Sequence, residues 1–390
     1  MIRTSYYQDL TKMNTFGMKV KARCFMEYDS VADLVDIEFE ELARPVLHIG
    51  GGSNLLFTDD FKGTVLHSKI DFIEILEDGN CDTSERNCDI PERHCERSMA
   101  IFTPVLVSVG AGVVFDDFCA WAAKEGLWGV ENLSYIPGEV GASAVQNIGA
   151  YGVEVKDVIH KVYCYDTLEE EFVNFSVEEC GYGYRDSIFK NPEVKGRYIV
   201  THVVFALSRD PRPVLDYGHL KEAVMAMMNK TTGQTGNDDI ENNSDVIADQ
   251  IGNLTPSLIR KVIIKIRKEK LPEPSVVGSA GSFFKNPVIN AEHFARIEAA
   301  AKAEHGPDYK VPHYDLPDGT VKVPAAWMIE QCGWKGKRSG GAAVWDKQPL
   351  VIVNYTGNAY PEEIVGLEKR IIASVKAKFG VDLHPEVEHV

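Results

Sequence analysis

The sequence predicts a globular protein that mixes strands with helices, in the α+β or α/β class. Short apolar runs that are rich in β-branched residues and bounded by glycine recur along the chain, and amphipathic segments of helical period separate them. The chain has 390 residues, which is more than one ordinary domain, so two or three domains are expected.

Seven segments carry these patterns. The predicted buried strands lie within residues 45–57, 103–115, 197–207 and 349–355. The clearest helix covers 360–380, where the apolar residues fall on one stripe, Pro361 suits the first turn and Gly380 suits the C-terminal cap. The other two predicted helices cover 116–129 and 255–271.

Composition and charge narrow the range of partners. The chain is 44% hydrophobic and carries a net charge of −17 at pH 7, so it repels nucleic acid and anionic membranes at long range. No apolar run reaches the roughly 18 to 20 residues of a membrane-spanning helix, and the N-terminal residues lack an export signal. We therefore expect a cytoplasmic protein, without a membrane partner, whose eight cysteines are reduced thiols.

Two polar stretches interrupt the pattern and are predicted to be surface insertions, at 77–100 and 229–254. The first contains Cys81, Cys88 and Cys95 at seven-residue intervals, which leaves a zinc site open as an alternative. Structural zinc sites favour closer cysteine pairs, so a solvated loop is preferred and no metal site is predicted.

Two glycine-rich segments, 49–54 and 136–152, are candidate phosphate-binding loops. Glycine lets backbone N–H groups approach an anion, although each loop alone is equally consistent with a plain turn. The segment 110–115 begins like a dinucleotide-binding fingerprint, but Phe115 occupies its last position and Asp116 follows at the start of a helix. An acidic side chain there repels a phosphate, so no Rossmann domain is predicted.

Six motifs in a fixed order carry a resemblance to a known family. They are IGGGSNLLF (49–57), IPGEVGASAVQNIGAYGVE (136–154), CGYGYRDSIFK (180–190), KLPEP (270–274), GSAGSFFKNP (278–287) and PEV (385–387). With these motifs, and with NTFG and GGAAV in support, the sequence resembles the type I members of the UDP-N-acetylenolpyruvoylglucosamine reductase (MurB) family. The resemblance covers nearly the whole chain except the two insertions.

The resemblance implies an α+β fold, with a two-lobed FAD-binding region of the vanillyl-alcohol-oxidase (PCMH) type and a C-terminal α+β substrate-binding domain. Lobe 1 would cover 1–70 and include the C-terminal tail, 381–390. Lobe 2 would cover 71–270 with both insertions, and the substrate-binding domain would cover 271–380.

The resemblance also implies an activity. The expected reaction is the NADPH-dependent reduction of UDP-N-acetylglucosamine enolpyruvate to UDP-N-acetylmuramate through non-covalent FAD, in the synthesis of peptidoglycan precursors, by a monomer. The residues expected to bind FAD are Gly50, Gly51, Gly52, Ser53, Asn54, Pro137, Gly138, Gly141, Ala142, Ser143, Asn147, Gly149, Ala150 and Gly152.

Three residues in the matching motifs are expected to be catalytic: Arg185, Ser282 and Glu386. A guanidinium stabilises negative charge on the substrate's carboxyl group, and a positioned hydroxyl protonates the carbon beside it. The alternatives from the residues alone are a surface ion pair for Arg185 and a turn-forming role for Ser282. Four further residues look like substrate contacts: Tyr217, Lys270, Asn286 and Lys335.

The surroundings of Ser282 suit a buried hydroxyl. Gly278 and its small neighbours are expected to let the backbone approach a ligand, while Phe283 and Phe284 pack behind and exclude water. The tail departs from the family at Glu388, where a well-known member has an arginine.

The sequence leaves two other functions open. One is a different FAD oxidoreductase of the same superfamily that acts on an alcohol or hydroxy acid, which oxygen would reoxidise. The other is a non-redox protein that binds or transfers a nucleotide sugar, which would contain no flavin.

Overall fold

The structure, a computed structural model, describes residues 1–76, 104–231 and 254–390. The predicted insertions lie almost wholly outside these ranges, as do the three cysteines of the zinc alternative. The strands are β1 (Arg3–Asp9), β2 (Lys21–Tyr28), β3 (Val46–Ile49), β4 (Leu55–Leu56), β5 (Phe61–Ser68), β6 (Ile73–Ile75), β7 (Val105–Gly110), β8 (Gly149–Ala150), β9 (Val153–Glu154), β10 (Ile159–Asp166), β11 (Glu171–Ser176), β12 (Tyr198–Leu207), β13 (Gly278–Ser279), β14 (Val288–Asn290), β15 (Tyr314–Asp315), β16 (Thr320–Lys322), β17 (Arg338–Ser339), β18 (Ala342–Val344), β19 (Ile352–Asn354) and β20 (Glu388–His389).

The α-helices alternate with these strands. They are α1 (Val31–Val35), α2 (Phe115–Lys124), α3 (Val140–Gln146), α4 (Leu220–Thr231), α5 (Pro256–Lys270), α6 (Ala291–His305), α7 (Ala325–Gln331) and α8 (Pro361–Phe379). All seven segments predicted from the sequence therefore contain the expected type of element.

The N-terminal sheet has the strand order β1-β2-β5-β3. β1 pairs antiparallel with β2, whereas β5 pairs parallel with both β2 and β3. The central β5 is buried at six consecutive positions, as expected for a parallel strand covered on both faces.

A second sheet, with the order β11-β10-β12-β7-β6, is antiparallel throughout. α2 and α3 supply side chains to its core. α5 packs against α2 and α4, and Thr255 caps α5 by accepting a hydrogen bond from the Leu258 N–H. Asp116, at the start of α2, pairs with Arg260 of α5. The negative charge of Asp116 is thus balanced by Arg260 of the same protein.

The C-terminal region builds a third sheet, β13-β19-β18-β17, with α8 packed on β18 and β19. Ile364 and Leu367 lie on the buried stripe of α8, and Gly380 ends the helix with a φ of +71°. One hydrophobic core includes residues of this region and of the N-terminal sheet. The proposed domain limits at 70 and 270 stay predictions.

The C-terminal tail is ordered by pairing with two distant segments. β20 pairs parallel with β4, and the Glu386 N–H donates to the Phe283 carbonyl over 2.8 Å. Leu383 and Val387 are buried beneath it. The tail therefore runs between β4, with which it forms a separate two-stranded sheet, and the segment that contains Ser282.

Within the described ranges, no helix combines the length and apolar character needed to cross a membrane. No group of three or more metal-binding side chains occurs in the same ranges. The five cysteines described there are all free thiols, namely Cys24, Cys119, Cys164, Cys180 and Cys332.

Candidate active site

The two glycine loops predicted from the sequence lie face to face. A Cβ on Gly51 would be 3.4 Å from the Gly138 Cα, and the Ser53 hydroxyl donates to the Pro137 carbonyl over 3.0 Å. Gly52 has a φ of +59°, and a Cβ there would lie 2.0 Å from a backbone oxygen of Met13. Only glycine fits this position, so the first loop keeps its shape through its sequence.

Three successive backbone N–H groups of the first loop have no partner within the described part of the chain. They belong to Gly51, Gly52 and Ser53. Successive N–H groups at the surface of a glycine loop form a concavity that binds phosphate oxygens. The loop therefore fits the pyrophosphate of a dinucleotide cofactor such as FAD.

The second loop leads directly to Arg185. α3 ends at Asn147 in the left-handed conformation, and the carbonyls of Asn147 and Gly149 accept hydrogen bonds from the Arg185 guanidinium over 3.1 and 2.6 Å. A Cβ on Gly149 would lie 2.9 Å from the same guanidinium. The loop that follows α3 thus holds one side of the arginine.

Glu386 holds the other side. The Arg185 Nε donates to Glu386 Oε1 over 2.9 Å, although the two residues are 201 positions apart. Their side chains are only 16% and 17% exposed. Burial raises the pKa of Glu386, while the positive charge of Arg185 opposes this rise. The alternative of a surface pair with Asp186 is not what the structure has, because the Asp186 carboxylate instead accepts the Ser187 N–H.

Ser282 precedes Phe283, whose backbone contacts the segment of Glu386. The adjacent Phe283 carbonyl accepts the Glu386 N–H, and the rings of Phe283 and Phe284 are buried 5.1 Å apart. The partly buried hydroxyl of Ser282 forms no hydrogen bond with any residue that the structure describes. Arg185 and Glu386 are therefore in contact, whereas Ser282 is linked to them only through the backbone of its neighbour.

The interpretation of Gly278 was wrong. A Cβ on Gly278 would lie 2.1 Å from the Phe16 carbonyl oxygen, and the Ser279 N–H donates to the Thr15 carbonyl. The close approach at Gly278 is therefore made to the protein's own backbone rather than to a ligand. The two buried phenylalanines, in contrast, occur as expected.

The four predicted substrate contacts fall into two groups. Tyr217 stacks on Tyr314 at 6.2 Å, and its Cβ lies 3.6 Å from the Cβ position of Gly152. Asn286 accepts the Ala325 N–H over 2.9 Å, and its side-chain nitrogen is 3.5 Å from the Tyr184 hydroxyl. These two residues thus adjoin the second glycine loop and the turn that contains Arg185.

Lys270 and Lys335 occupy more peripheral positions. The Lys270 carbonyl accepts the Trp345 indole N–H at the end of α5, and the Lys335 ammonium pairs with Glu330 over 2.8 Å. The Lys335 and Glu330 side chains are 44% and 45% exposed. Neither lysine contacts the Arg185–Glu386 pair in the described structure.

Sequence reasoning missed two residues that adjoin the site. Lys190 donates to the Arg185 carbonyl, and it was available as the last residue of the YRDSIFK motif. Tyr314 stacks on Tyr217 from a separate segment, and no local pattern marked it. Glu388, the departure from the family pattern, pairs with Lys195.

The chain is similar to known protein families and to individual proteins along its length. A family model described as the UDP-N-acetylenolpyruvoylglucosamine reductase C-terminal domain matches residues 273–390, and one described as an FAD binding domain matches 100–173. The reductase of Bacteroides fragilis is 44% identical over 98% of both chains. The chain belongs to the UDP-N-acetylenolpyruvoylglucosamine reductase family.

Two other reductases of this name extend the match. The one from Porphyromonas gingivalis is 39% identical over 100% of this chain and 99% of its own, and the one from Neisseria meningitidis serogroup A is 42% identical over 98% and 96%. The protein is therefore an enzyme, and its family is one of FAD-binding oxidoreductases.

A solved reductase of the same name from Thermus caldophilus has a similar fold. It aligns with a TM-score of 0.58 over 100% of this chain and 98% of its own, at 21% identity. At that identity the match supports the fold alone. Together with the FAD binding domain match, it confirms the predicted α+β class with an FAD-binding region and a C-terminal domain.

Proposed function

We propose that the protein catalyses the NADPH-dependent reduction of UDP-N-acetylglucosamine enolpyruvate to UDP-N-acetylmuramate. Family membership supports the reaction, because relatives that match over nearly their full length carry the reductase's name. The observation that carries the proposal is the Arg185–Glu386 contact, which joins two motifs 201 residues apart beside the second glycine loop. The product is a peptidoglycan precursor, so the enzyme would act in cell-wall synthesis in the cytoplasm, and a monomer is proposed.

FAD would be held, without a covalent bond, by the two facing glycine loops. The free N–H groups of Gly51, Gly52 and Ser53 suit its pyrophosphate. When bound, the flavin supplies hydride transfer, from NADPH to the methylene carbon of the enolpyruvyl group. The first loop belongs to predicted lobe 1 and the second to predicted lobe 2, and the two lobes together form the proposed FAD-binding region.

Arg185 is proposed to bind the carboxylate of the enolpyruvyl group and to stabilise the enolate that forms after hydride transfer. Its guanidinium is fixed by Glu386 and by two backbone carbonyls, which use three of its five N–H groups and leave two for a ligand. A preorganised cation in a partly buried site stabilises a developing negative charge by several kcal/mol.

Ser282 is proposed to donate the proton to the carbon beside that carboxylate. Its hydroxyl has no protein partner among the described residues, and two buried phenylalanines follow it in the chain. A hydroxyl is a weak acid, but the carbanion-like carbon is strongly basic, so a positioned donor accelerates the step by about 10² to 10⁴.

The nucleotide half of the substrate is proposed to contact Tyr217, Lys270, Asn286 and Lys335. Tyr217 offers an aromatic face and Asn286 an amide beside the Arg185 turn. Lys270 and Lys335 supply the local positive charge that a diphosphate needs on a protein whose net charge is −17.

Separate half-reactions test the proposal. The purified protein is mixed anaerobically with NADPH, and the visible absorbance of the flavin is followed; it should bleach. Adding UDP-N-acetylglucosamine enolpyruvate should restore the colour and form UDP-N-acetylmuramate. Protein without flavin, or reduced flavin that only oxygen reoxidises, would reject the proposal.

Ser282→Ala separates the proton donor from the rest of the site. Bleaching by NADPH should survive in this variant, while reoxidation by the enolpyruvyl substrate slows by about 10² to 10⁴. Reoxidation at the wild-type rate would remove Ser282 from the mechanism without affecting the assignment of the reaction.

A further inference from the structure

The backbone of Arg185 is held in a conformation that an L residue rarely adopts. Its φ is +56°, and it lies in a tight turn in which Gly183 and Asp186 exchange backbone hydrogen bonds of 3.0 and 3.2 Å. A non-glycine residue in the left-handed region costs roughly 1–2 kcal/mol, so its surroundings must fix it.

Two lysines supply that constraint from different segments. The Lys190 ammonium donates to the Arg185 carbonyl over 3.0 Å and also to the Gln146 side chain over 3.0 Å. The Lys285 ammonium is 3.5 Å from the same Arg185 carbonyl. One carbonyl oxygen thus contacts two cations, one from the segment after the arginine and one from the segment that contains Ser282.

We infer that Lys190 and Lys285 are positioning residues that fix the Arg185 peptide so that its guanidinium lies against Glu386. The direction of the Arg185 carbonyl is set by ψ of that residue, and ψ together with φ sets where the side chain leaves the turn. Holding the oxygen therefore fixes the direction in which the side chain leaves the backbone, and with it the point from which the guanidinium reaches Glu386. This inference rests on the proposed function of Arg185.

The electrostatics of the site agree with this role. Burial and the nearby Lys285 lower the pKa of Lys190, whereas the carboxylates of Asp186, Glu386 and Glu388 oppose that change. Burial raises the pKa of Glu386, and the charges of Arg185, Lys190 and Lys285 oppose that rise. A partly buried ammonium is tolerated when oxygen atoms surround it, and here the Arg185 carbonyl and the Gln146 amide do so.

The test compares Lys190→Met and Lys285→Met with the conservative Lys190→Arg and with Lys62→Met, a control at an exposed lysine that pairs with Asp59. Each protein is reduced with NADPH and mixed with saturating UDP-N-acetylglucosamine enolpyruvate. Both Met variants should reoxidise about 10- to 100-fold more slowly, as expected for a catalytic group displaced by about 1 Å, with unchanged flavin content. Lys190→Arg should recover part of the rate, and the control should match wild type.

A double-mutant cycle separates positioning from other roles. In an Arg185→Ala background, Lys190→Met and Lys285→Met should slow reoxidation no further, because there is no guanidinium left to position. An equal additional loss in that background, or a change in KM alone, would overturn the inference in favour of direct ligand binding. Should Lys190→Met fail to fold, Lys285→Met carries the same test.

The proposed function fails by a different result. If Arg185→Ala itself reoxidises at the wild-type rate, the role of Arg185 is wrong. If Arg185→Ala is slow while both lysine variants are fast at saturating substrate, only the positioning inference is lost.

Discussion

Two ion pairs formed by predicted site residues are built in opposite ways. The Arg185 and Glu386 side chains are 16% and 17% exposed, and two backbone carbonyls bind the same guanidinium. The Lys335 and Glu330 side chains are 44% and 45% exposed, and the contact between them is the one bond that holds the lysine among the described residues. Buried pairs are costly to break, whereas exposed pairs exchange easily with water.

This difference matches the two tasks proposed for the cations. A group that stabilises a transient negative charge must be in place before the charge forms. A group that binds a diphosphate at the rim is able to leave its protein partner when the ligand arrives. The comparison therefore predicts where a mutation changes turnover and where it changes affinity.

The largest effect is expected for Glu386→Gln, because it removes the carboxylate that is hydrogen-bonded to the buried Arg185 guanidinium and leaves Glu154, 3.9 Å away, as the ion-pair partner among the described residues. Turnover should fall about 10²- to 10³-fold, the range seen when one preorganised electrostatic contact is removed. The measurement is steady-state turnover, with flavin content measured in parallel and expected to stay at wild-type level. Glu388→Gln, two residues along the tail, is the matched control, and turnover equal to wild type in Glu386→Gln would reject the role.

The buried pair also predicts a pH dependence. Burial raises the pKa of Glu386, with Arg185, Lys190 and Lys285 opposing the shift. If the ionised carboxylate is the active form, turnover is full above the raised pKa and falls as the pH decreases through it, about tenfold per pH unit. The acidic limb of the profile should be absent in Glu386→Gln. An identical limb in both proteins would assign it to another group.

Substitution at the exposed Lys335–Glu330 pair is expected to have a smaller effect, on KM rather than on kcat. Lys335→Ala should raise KM for the UDP-linked substrate about tenfold, with kcat within twofold of wild type, because a rim charge that contacts ground state and transition state equally changes binding alone. Glu330→Gln removes the ion-pair partner of Lys335, so its KM should be equal to or lower than that of wild type. A kcat loss in Lys335→Ala as large as that of Glu386→Gln would erase the distinction between the two pairs.

Local signals explain which parts of the fold the sequence predicted well. The helix α8 was predictable because its apolar period, Pro361 and Gly380 are all local to the segment. The parallel pairing of β20 with β4 was not predictable from local pattern, because it joins residues more than 300 positions apart. In the sequence, the one sign that the tail packs against the rest of the protein is the apolar character of Leu383 and Val387.

The site shows the same limit. Family motifs identified Arg185 and Glu386 separately, and the contact between them depends on how the tail pairs with β4 and with Asn54 of the first glycine loop. Lys190 was visible in a motif, but its bond to the Arg185 carbonyl depends on a left-handed backbone that sequence pattern does not encode. Gly278 was misinterpreted because small residues permit close approach to protein and to ligand alike.

A third pair, His389–Glu368, lies between the two in burial and should give the smallest effect. Its side chains are 34% and 7% exposed, and the charged atoms are 3.0 Å apart with a geometry that is not a hydrogen bond. The Glu368 carboxylate raises the pKa of His389, while its burial and Lys369 oppose the rise. The pair's contribution to the free energy of unfolding is therefore complete below the unfolded pKa of about 6.5 and is lost as the pH rises through the higher folded value.

Denaturant unfolding of wild type and His389→Gln at several pH values measures this contribution. Wild type should be more stable by about 0.5 kcal/mol near pH 6, after allowance for solvent screening, and the difference should vanish by about pH 9. A difference of several kcal/mol that persists at high pH would mean that His389 contributes through packing, for instance against Phe283 at 6.3 Å, rather than through its charge. The tail beside Glu386 would then be held by its backbone pairing with β4 and by apolar contacts, without a contribution from the His389 charge.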